Sequence, residues 1–329
     1  MTPKILVAPR DLQTLEARYR PLLEAAGYDV KYPAPSLANQ PTPLELQDAL
    51  ADVVAVIAGS ETYSAELFDA FPQLRVVARV GVGYDAVDVP AATARGVAVT
   101  ITPGCNHESV AEHAFGMILG FTRQIANHTY EIRGGRWPRN RSVPIRGKTI
   151  GLAGLGRIGK AMVVRANAFR MSVLAYDPFP DRAFCEANNV TLLSFDELLS
   201  QSDFLSLHLP LTEQTRHLMN RKTFAKMKRG AALVNTSRGG LVCEVDLVEA
   251  LESGQVGAAL LDVFEREPPG ANHPLFSLDN VIFTPHAAGV DVQSLGDMAC
   301  SATESAIAIL RGEWPAEKIV NPAARNRQP

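Results

Sequence analysis

Three short stretches in the second half of the chain end apolar runs on groups able to move protons or hold anions. VNTSRGG places Arg238 after one run, LDVFEREP places Asp262 and Glu267 after another, and VIFTPHAAGV places His286 after a third. A histidine changes charge near neutral pH. An arginine offers a planar fork of donors that suits a carboxylate, and an acid can orient either of them. Taken singly, each has an ordinary reading: Arg238 as a surface charge, Asp262 as a turn or cap residue, Glu267 as a solvated loop acid, His286 as a ring satisfied locally. Together they gain weight, because ligands of open α/β sheets bind outside the carboxyl ends of the strands.

A fourth stretch, TIGLAGLGRIGKAM, holds Gly154-x-Gly156-Arg157-Ile158-Gly159 after an apolar run and at the start of a helical pattern. In such a turn the first glycine bends the chain from strand to helix, the second lets the backbone approach a pyrophosphate, and the third permits close helix–strand packing. The helix N-terminus then meets the phosphates with unpaired N–H groups. The next apolar run, SVLAYD, ends in Asp177, about 20 residues on, where an acid binds the adenosine ribose hydroxyls. Its charge would repel a 2′-phosphate and Pro178 adds no counter-charge, so NAD is expected rather than NADP, with Arg182 the nearby cation.

The elements that must carry these groups are legible as an alternation. KILVA, VVAVIAG, LRVVARV and VAVTI read as strands with helices between them; TIGLAGLG, SVLAYD, DFLSLHLP, AALVNTS, AALLDVF and VIFTPH repeat the pattern. Near-continuous apolar strands belong to parallel sheets covered on both faces. A helix is expected over 11–27. Another starts at Thr42-Pro43 with Glu45 as capping-box partner, and a third has Ser194 and Glu197 in the same arrangement. One long helix is expected over roughly 107–127, followed by a basic Gly- and Pro-rich arm from Ile132, and a last helix over about 291–311. The fold class is therefore α/β with two doubly wound parallel-sheet domains, and 329 residues suit two domains.

Composition removes other classes. With 32 basic against 35 acidic residues the net charge is −3, which gives no electrostatic basis for nucleic acid or an anionic membrane. No apolar run reaches the roughly 18 residues of a membrane span, and MTPKILVAP enters a strand without a signal-like region. Cys105, Cys185, Cys243 and Cys300 lie far apart without a CxxC pair, so no metal site is expected and a reducing cytoplasm is.

Beyond these features, the chain resembles the D-isomer-specific 2-hydroxyacid dehydrogenase family. RVGVGYDAVD, SVAEHAFGMIL, GLAGLGRIGKAM, LHLPLTEQTRHLM, LVNTSRGGLV, ALLDVFEREP and FTPHAAG match its motifs in order. The resemblance implies a Rossmann-type NAD-binding domain, 102–290, inserted into a flavodoxin-like substrate domain, 1–101 plus 291–329. It implies that His286 protonates the substrate carbonyl as hydride arrives and acts as base in reverse. Glu267 would hydrogen-bond His286 and favour its charged form, and Arg238 would hold the substrate carboxylate. Asp262 would bind the nicotinamide carboxamide, and Thr236 and Ser237 would line the nicotinamide pocket. Gly289 and its alanine neighbours would leave the ring space. His208 and Thr215 would shape the cofactor groove, a packing role for His208 being equally open.

In the same family, formate-oxidising members carry a glutamine where this chain has Glu267, so formate is disfavoured. Gly81-Val82-Gly83 resembles the backbone loop that binds the substrate carboxylate. Arg79 and Asn106 match positions of the phosphoglycerate dehydrogenases, whereas Arg95 falls one place from that subgroup's second arginine. Val82 stands where phosphite-oxidising relatives have a lysine. The implied activity is NAD-dependent oxidation of a D-2-hydroxy acid to the 2-keto acid, or its reversal, with a 3-phosphoglycerate-type substrate. Glyoxylate or hydroxypyruvate reduction is the alternative, and an NADH-sensing protein similar to the family's co-repressors is the reading from another class. Trp137 resembles an arm residue that reaches a neighbouring subunit, which implies a homodimer; packing on its own loop is the other reading. Cys105, near the presumed hinge, has no assigned role.

Overall fold

The computed structural model describes residues 2–35 and 41–327. The chain separates into two compact units, Met1–Asn106 with Val290–Pro329, and His107–Gly289.

The first unit is built on five strands: β1 (Lys4–Val7), β2 (Asp29–Lys31), β3 (Val53–Ala58), β4 (Val76–Arg79) and β5 (Ala98–Thr100). They are all parallel, in the order β2-β1-β3-β4-β5. Alternate residues face opposite sides of a strand. Ile5, Val7, Ala55, Ile57, Val76 and Ala78 accordingly pack with Tyr19, Leu23 and Ala302. Leu6, Val56, Val77 and Val99 pack on the other face with Leu46, Leu50 and Phe68. The covering helices are α1 (Glu16–Ala25), α2 (Pro43–Leu50), α3 (Ala65–Ala70), α4 (Val89–Ala94) and the last helix, Val292–Leu310. The helix expected from Asp11 begins instead as a 3-10 segment, Arg10–Leu15, ahead of α1. Pro9 supplies no side-chain cap, and the tighter i→i+3 bonds occupy the first turn in its place. Thr42 and Glu45 form the expected capping box.

Helices α5 (His107–Thr122) and α6 (Ile125–Arg133) open the second unit. Its seven strands are β6 (Thr149–Ala153), β7 (Ser172–Tyr176), β8 (Val190–Leu192), β9 (Phe204–Leu207), β10 (Ala231–Asn235), β11 (Val256–Leu261) and β12 (Val281–Phe283). The helices among them are α7 (Arg157–Ala168), α8 (Arg182–Ala187), α9 (Phe195–Gln201), α10 (Arg221–Lys226) and α11 (Glu244–Glu252). All seven strands are parallel in the order β12-β11-β10-β9-β6-β7-β8. The chain winds outward from β6 through β7 and β8, then returns to lay β9 on the other side. The reversal between β6 and β9 opens a crevice at their carboxyl ends, the place where doubly wound sheets take ligands.

The single helix expected over 107–127 is two. Thr122 turns its hydroxyl back onto Ile118 O at 2.8 Å, Gln124 N bonds Phe121 O, and Gln124 adopts a left-handed conformation at φ 54°. Helix α6 then runs into the segment expected as an arm. It buries none of its residues, so the apolar period that holds α5 stops at the break. Trp137 is 79% exposed. Among the described residues no helix is long and apolar enough to cross a membrane.

Candidate active site

The turn after β6 separates the work of its three glycines. Gly154 has φ +102°, and a Cβ there would lie 2.5 Å from His208 O, so neither the backbone angle nor the space admits a side chain. A Cβ on Gly159 would lie 2.3 Å from Gly154 O, which is close helix-on-turn packing. Gly156 is different: nothing lies within 4 Å of its would-be Cβ. It is the N-cap of α7 with no side-chain cap bond, so the first N–H groups of that helix, from Arg157 and Ile158 onward, face an open cradle.

Asp177 leaves β7 beside this turn. Its Oδ2 accepts from Leu155 N at 2.7 Å and its Oδ1 from Phe179 N at 2.8 Å. The acid thus ties the turn to the next strand, and exposed Arg182 opens α8 beyond it. On the other side of β6, the exits of adjacent β9 and β10 carry His208 and Thr236. His208 Nε2 meets Ser206 Oγ at 2.9 Å, while its Nδ1 is buried without a hydrogen-bond partner. Burial pushes the ring down to about 4, so it is neutral at neutral pH. Thr236 Oγ1 is likewise buried and unsatisfied. Buried polar atoms are almost always paired, and these two, with the open cradle at Gly156, fit a bound dinucleotide. Thr215 is engaged in its own loop, donating to Pro210 O and accepting from Thr212 N. Ser237 Oγ donates to Leu207 O and so joins the two strand exits.

Arg238, Glu267 and His286 come together. His286 Nδ1 lies 2.7 Å from Glu267 Oε2, and the other carboxylate oxygen accepts from Phe264 N at 3.0 Å. Burial pulls the Glu267 carboxyl upward. The His286 hydrogen bond and charge, the Phe264 N–H and the nearby Arg238 charge together outweigh it, leaving the group below the ordinary glutamate range. With Nδ1 engaged, Nε2 is the ring nitrogen left for proton exchange, and half of the side chain is exposed. Arg238 sits on a strand exit braced by Asn235, whose amide donates to Arg238 O at 2.9 Å. Gly239 follows it; a Cβ there would fall 1.9 Å from the Phe264 carbonyl. That contact presses the arginine turn against the Phe264–Glu267 turn.

Asp262 is only 1% exposed, and its carboxylate is already well supplied with donors. Oδ1 accepts from Thr284 Oγ1 and Ala287 N, Oδ2 from Ala288 N, and its backbone oxygen from His286 N. Gly289 ends this loop and this unit. His113 and Thr284, which the residue pattern did not single out, meet at 2.9 Å beside Asp262. The mark His113 leaves in the sequence is a titratable ring, beside Glu112, within the apolar-rich run VAEHAFGMILGFTR.

The remaining predicted residues, Arg79, Val82, Gly83 and Asn106, belong to the five-stranded unit. Arg79 ends β4, is 8% exposed, and donates through Nε to Gly83 O at 3.0 Å. Gly81 has φ +145° and is held by Thr102 in both directions, N–H to Oγ1 and O to N–H. Val82 is the exposed member of the loop, and half-buried Asn106 precedes α5. Arg95 grips Asp69 with two 2.6 Å bonds. Among the described residues no group of three or more His, Cys, Asp or Glu side chains could hold a metal ion.

A doubly wound parallel sheet with this turn at its reversal defines a dinucleotide-binding unit. Comparison with known proteins narrows the class. Residues 115–288 match the profile described as D-isomer specific 2-hydroxyacid dehydrogenase, NAD binding domain. The chain is 40% identical over 270 residues to a D-3-phosphoglycerate dehydrogenase of Archaeoglobus fulgidus, covering 81% of this chain and 51% of that one. It is 43% identical over 264 residues to a glyoxylate reductase of Thermofilum pendens, covering 78% of each. The solved apo-structure of D-lactate dehydrogenase from Escherichia coli superposes with a TM-score of 0.84 at 28% identity, over 96% of this chain and all of the other. The chain belongs to the D-isomer-specific 2-hydroxyacid dehydrogenase family, and it spans about half the length of the curated phosphoglycerate dehydrogenases it matches.

Proposed function

We propose that this chain is an NAD-dependent D-2-hydroxyacid dehydrogenase that interconverts a small 2-hydroxy acid and its 2-keto acid. The observation that carries the reading is the 2.7 Å pair of His286 Nδ1 and Glu267 Oε2. When bound, the nicotinamide dinucleotide supplies or accepts the hydride. His286 Nε2 gives a proton to the carbonyl oxygen in reduction and takes it back in oxidation. Glu267 fixes the ring and supports its charged form. Arg238 binds the substrate carboxylate and draws charge from the carbonyl. The five-stranded unit is taken as the substrate domain, on the likeness of its Gly81–Gly83 loop to the family's carboxylate-binding backbone, and the seven-stranded unit as the cofactor domain. Thr236, Ser237 and Asp262 receive the nicotinamide end, and the Gly154 turn and Asp177 receive the adenosine end. The preference for NAD over NADP is supported by the Asp177 carboxylate, which is bonded to the glycine turn through Leu155 N and whose charge would repel a 2′-phosphate.

For the substrate, glyoxylate or hydroxypyruvate is favoured over a 3-phosphoglycerate-type acid. Support comes from the basic residues: Arg79 is buried and braces Gly83, and Arg95 is committed to Asp69. Buried Glu61 follows β3, next to β4. Its burial pushes its carboxyl up against the opposing pull of the Arg79 charge. An acid beside Arg79 is a poor neighbour for a phosphate. The name of the Archaeoglobus relative favours the phosphorylated substrate as the second reading.

The test is NADH oxidation with glyoxylate, hydroxypyruvate and 3-phosphohydroxypyruvate, repeated with NADPH. The expected result is kcat/KM at least about 10-fold higher for an unphosphorylated acid and for NADH. Preference for the phosphorylated acid would overturn the substrate choice alone. Tight NADH binding without turnover on any of the three would point to a sensor instead. A homodimer is part of the proposal, supported by the coreless α6 and by exposed Ile125, Tyr130, Ile132 and Trp137; a monomer-sized particle in sedimentation velocity would remove it. The four free thiols suit a reducing compartment.

A further inference from the structure

We infer that His113 and Thr284 are positioning residues that act through Asp262 to hold the backbone of His286 in its working conformation. This rests on the catalytic role proposed for His286. That residue has φ +53°, a left-handed conformation that residues with a Cβ adopt only when their surroundings impose it.

The imposing contacts converge on one side chain. Three successive N–H groups, of His286, Ala287 and Ala288, all donate to Asp262, to its backbone oxygen, Oδ1 and Oδ2 respectively. A carboxylate gripping two adjacent N–H groups from below sets the path of the chain above it. What orients the carboxylate is Thr284. Its hydroxyl has one proton and lies 2.5 Å from Asp262 Oδ1, so the proton goes there. The hydroxyl oxygen then accepts from His113 Nε2 at 2.9 Å, which assigns the proton of that ring to Nε2. His113 Nε2 is also 3.6 Å from Asp262 Oδ1.

Both outer anchors stand on α5. One turn before His113, Ser109 Oγ donates to Ala288 O at 2.8 Å. The helix therefore holds the histidine loop at two points four residues apart, the spacing at which side chains share a helix face. Asp262 is buried, so loss of the Thr284 hydroxyl leaves Oδ1 short of a donor that water cannot readily replace. The carboxylate can then rotate, and the ring it positions moves with the loop.

The test uses the full chain with four substitutions. Thr284→Val keeps the shape and removes the hydroxyl, while Thr284→Ser restores it. His113→Leu removes the donor, and His113→Gln places an amide N–H near the Nε2 position. With hydroxypyruvate and NADH, Thr284→Val and His113→Leu are expected to lower kcat by about 10- to 100-fold, the scale of a small misplacement of a reacting group. The substrate KM should stay within about threefold, and Thr284→Ser and His113→Gln should recover most of the loss in kcat. Glu267 is held low partly by His286, so a loosened pair also moves the acid limb of the pH profile to higher pH.

The rate at which diethyl pyrocarbonate modifies His286, read by peptide mass spectrometry, gives a result without turnover. It should change several-fold in the Thr284→Val and His113→Leu chains and not in the two rescuing ones. Wild-type rates throughout for Thr284→Val and His113→Leu would overturn the inference. So would equal losses in the rescuing variants. Should Thr284→Val fail to fold, the His113 pair decides. If no chain, the natural one included, oxidises NADH, the proposed function fails while the modification rates still judge the clamp.

Discussion

The two units obey one architectural rule and treat the ends of their strands in opposite ways. Both are parallel sheets with apolar residues on each face. In the seven-stranded unit, strand exits carry groups with bonding capacity in reserve: His286 with Nε2 available, Thr236 Oγ1 and His208 Nδ1 buried and unmatched. In the five-stranded unit the cation at the corresponding place, Arg79 at the end of β4, donates to Gly83 O, while Arg95, at the end of α4, is held by Asp69. Unmatched polar atoms in a folded interior are costly, and both units keep some: in the five-stranded unit Glu61 Oε1 and Thr100 Oγ1 are buried without a partner. The difference lies in the groups themselves: a histidine paired with an acid at the exits of one sheet, a glycine loop and a braced arginine at those of the other. The seven-stranded unit carries the match to the family's NAD binding domain, and the five-stranded unit carries the glycine loop that Arg79 and Thr102 brace.

This contrast can be broken at three levels. His286→Ala should have the largest effect, lowering keto-acid reduction by about 10³-fold while NADH affinity holds within about threefold. Stopped-flow turnover with fluorescence titration of NADH checks it, and a chain retaining a tenth of its rate would remove His286 from the chemistry. Glu267→Gln comes next, at about 10- to 100-fold in kcat. Its pH dependence carries a sign. The Glu267 carboxyl is lowered in the fold, so its ionised, His-paired form persists below the ordinary glutamate range and is lost only as pH falls through that lowered value. The natural chain should therefore show an acid limb at low pH that the glutamine variant lacks; an unchanged limb would reassign it. Smallest is Arg95→Ala, which removes an exposed ion pair. A change of no more than a degree or two in Tm and of less than about twofold in kcat/KM is expected for any substrate. A selective loss with 3-phosphohydroxypyruvate would show that the five-stranded unit does hold a cation in reserve.

What the residues alone disclosed divides along the same line. The glycine turn, the capping boxes at Thr42 and Ser194, and the alternation of strands and helices are local patterns, and local patterns are written in adjacent letters. The strand-exit arginine, acid and histidine were legible because sheet topology gathers carboxyl ends. Engagements between distant side chains were not. Nothing near Arg79 announces that its donor turns back on Gly83, and Asp69 lies 26 residues from Arg95. His113 and Thr284 are 171 residues apart, so their meeting depends on where α5 crosses the sheet. The break at Gln124 escaped for a related reason: the chain is helical on both sides of it, and packing distinguishes α5, which buries a face, from α6, which buries none of its residues.

The glycine turn also bears on how such a chain can diverge. Positions 154 and 159 answer to the polypeptide, since any side chain there collides with neighbouring backbone. Position 156 answers to the ligand, because its surroundings leave room for a methyl group that the phosphates would not tolerate. A descendant that gave up the dinucleotide but kept the fold would be free to drift at 156 while remaining pinned at 154 and 159. Among proteins sharing this sheet, loss of the middle glycine alone is thus a readable scar of abandoned chemistry, distinct from loss of the fold.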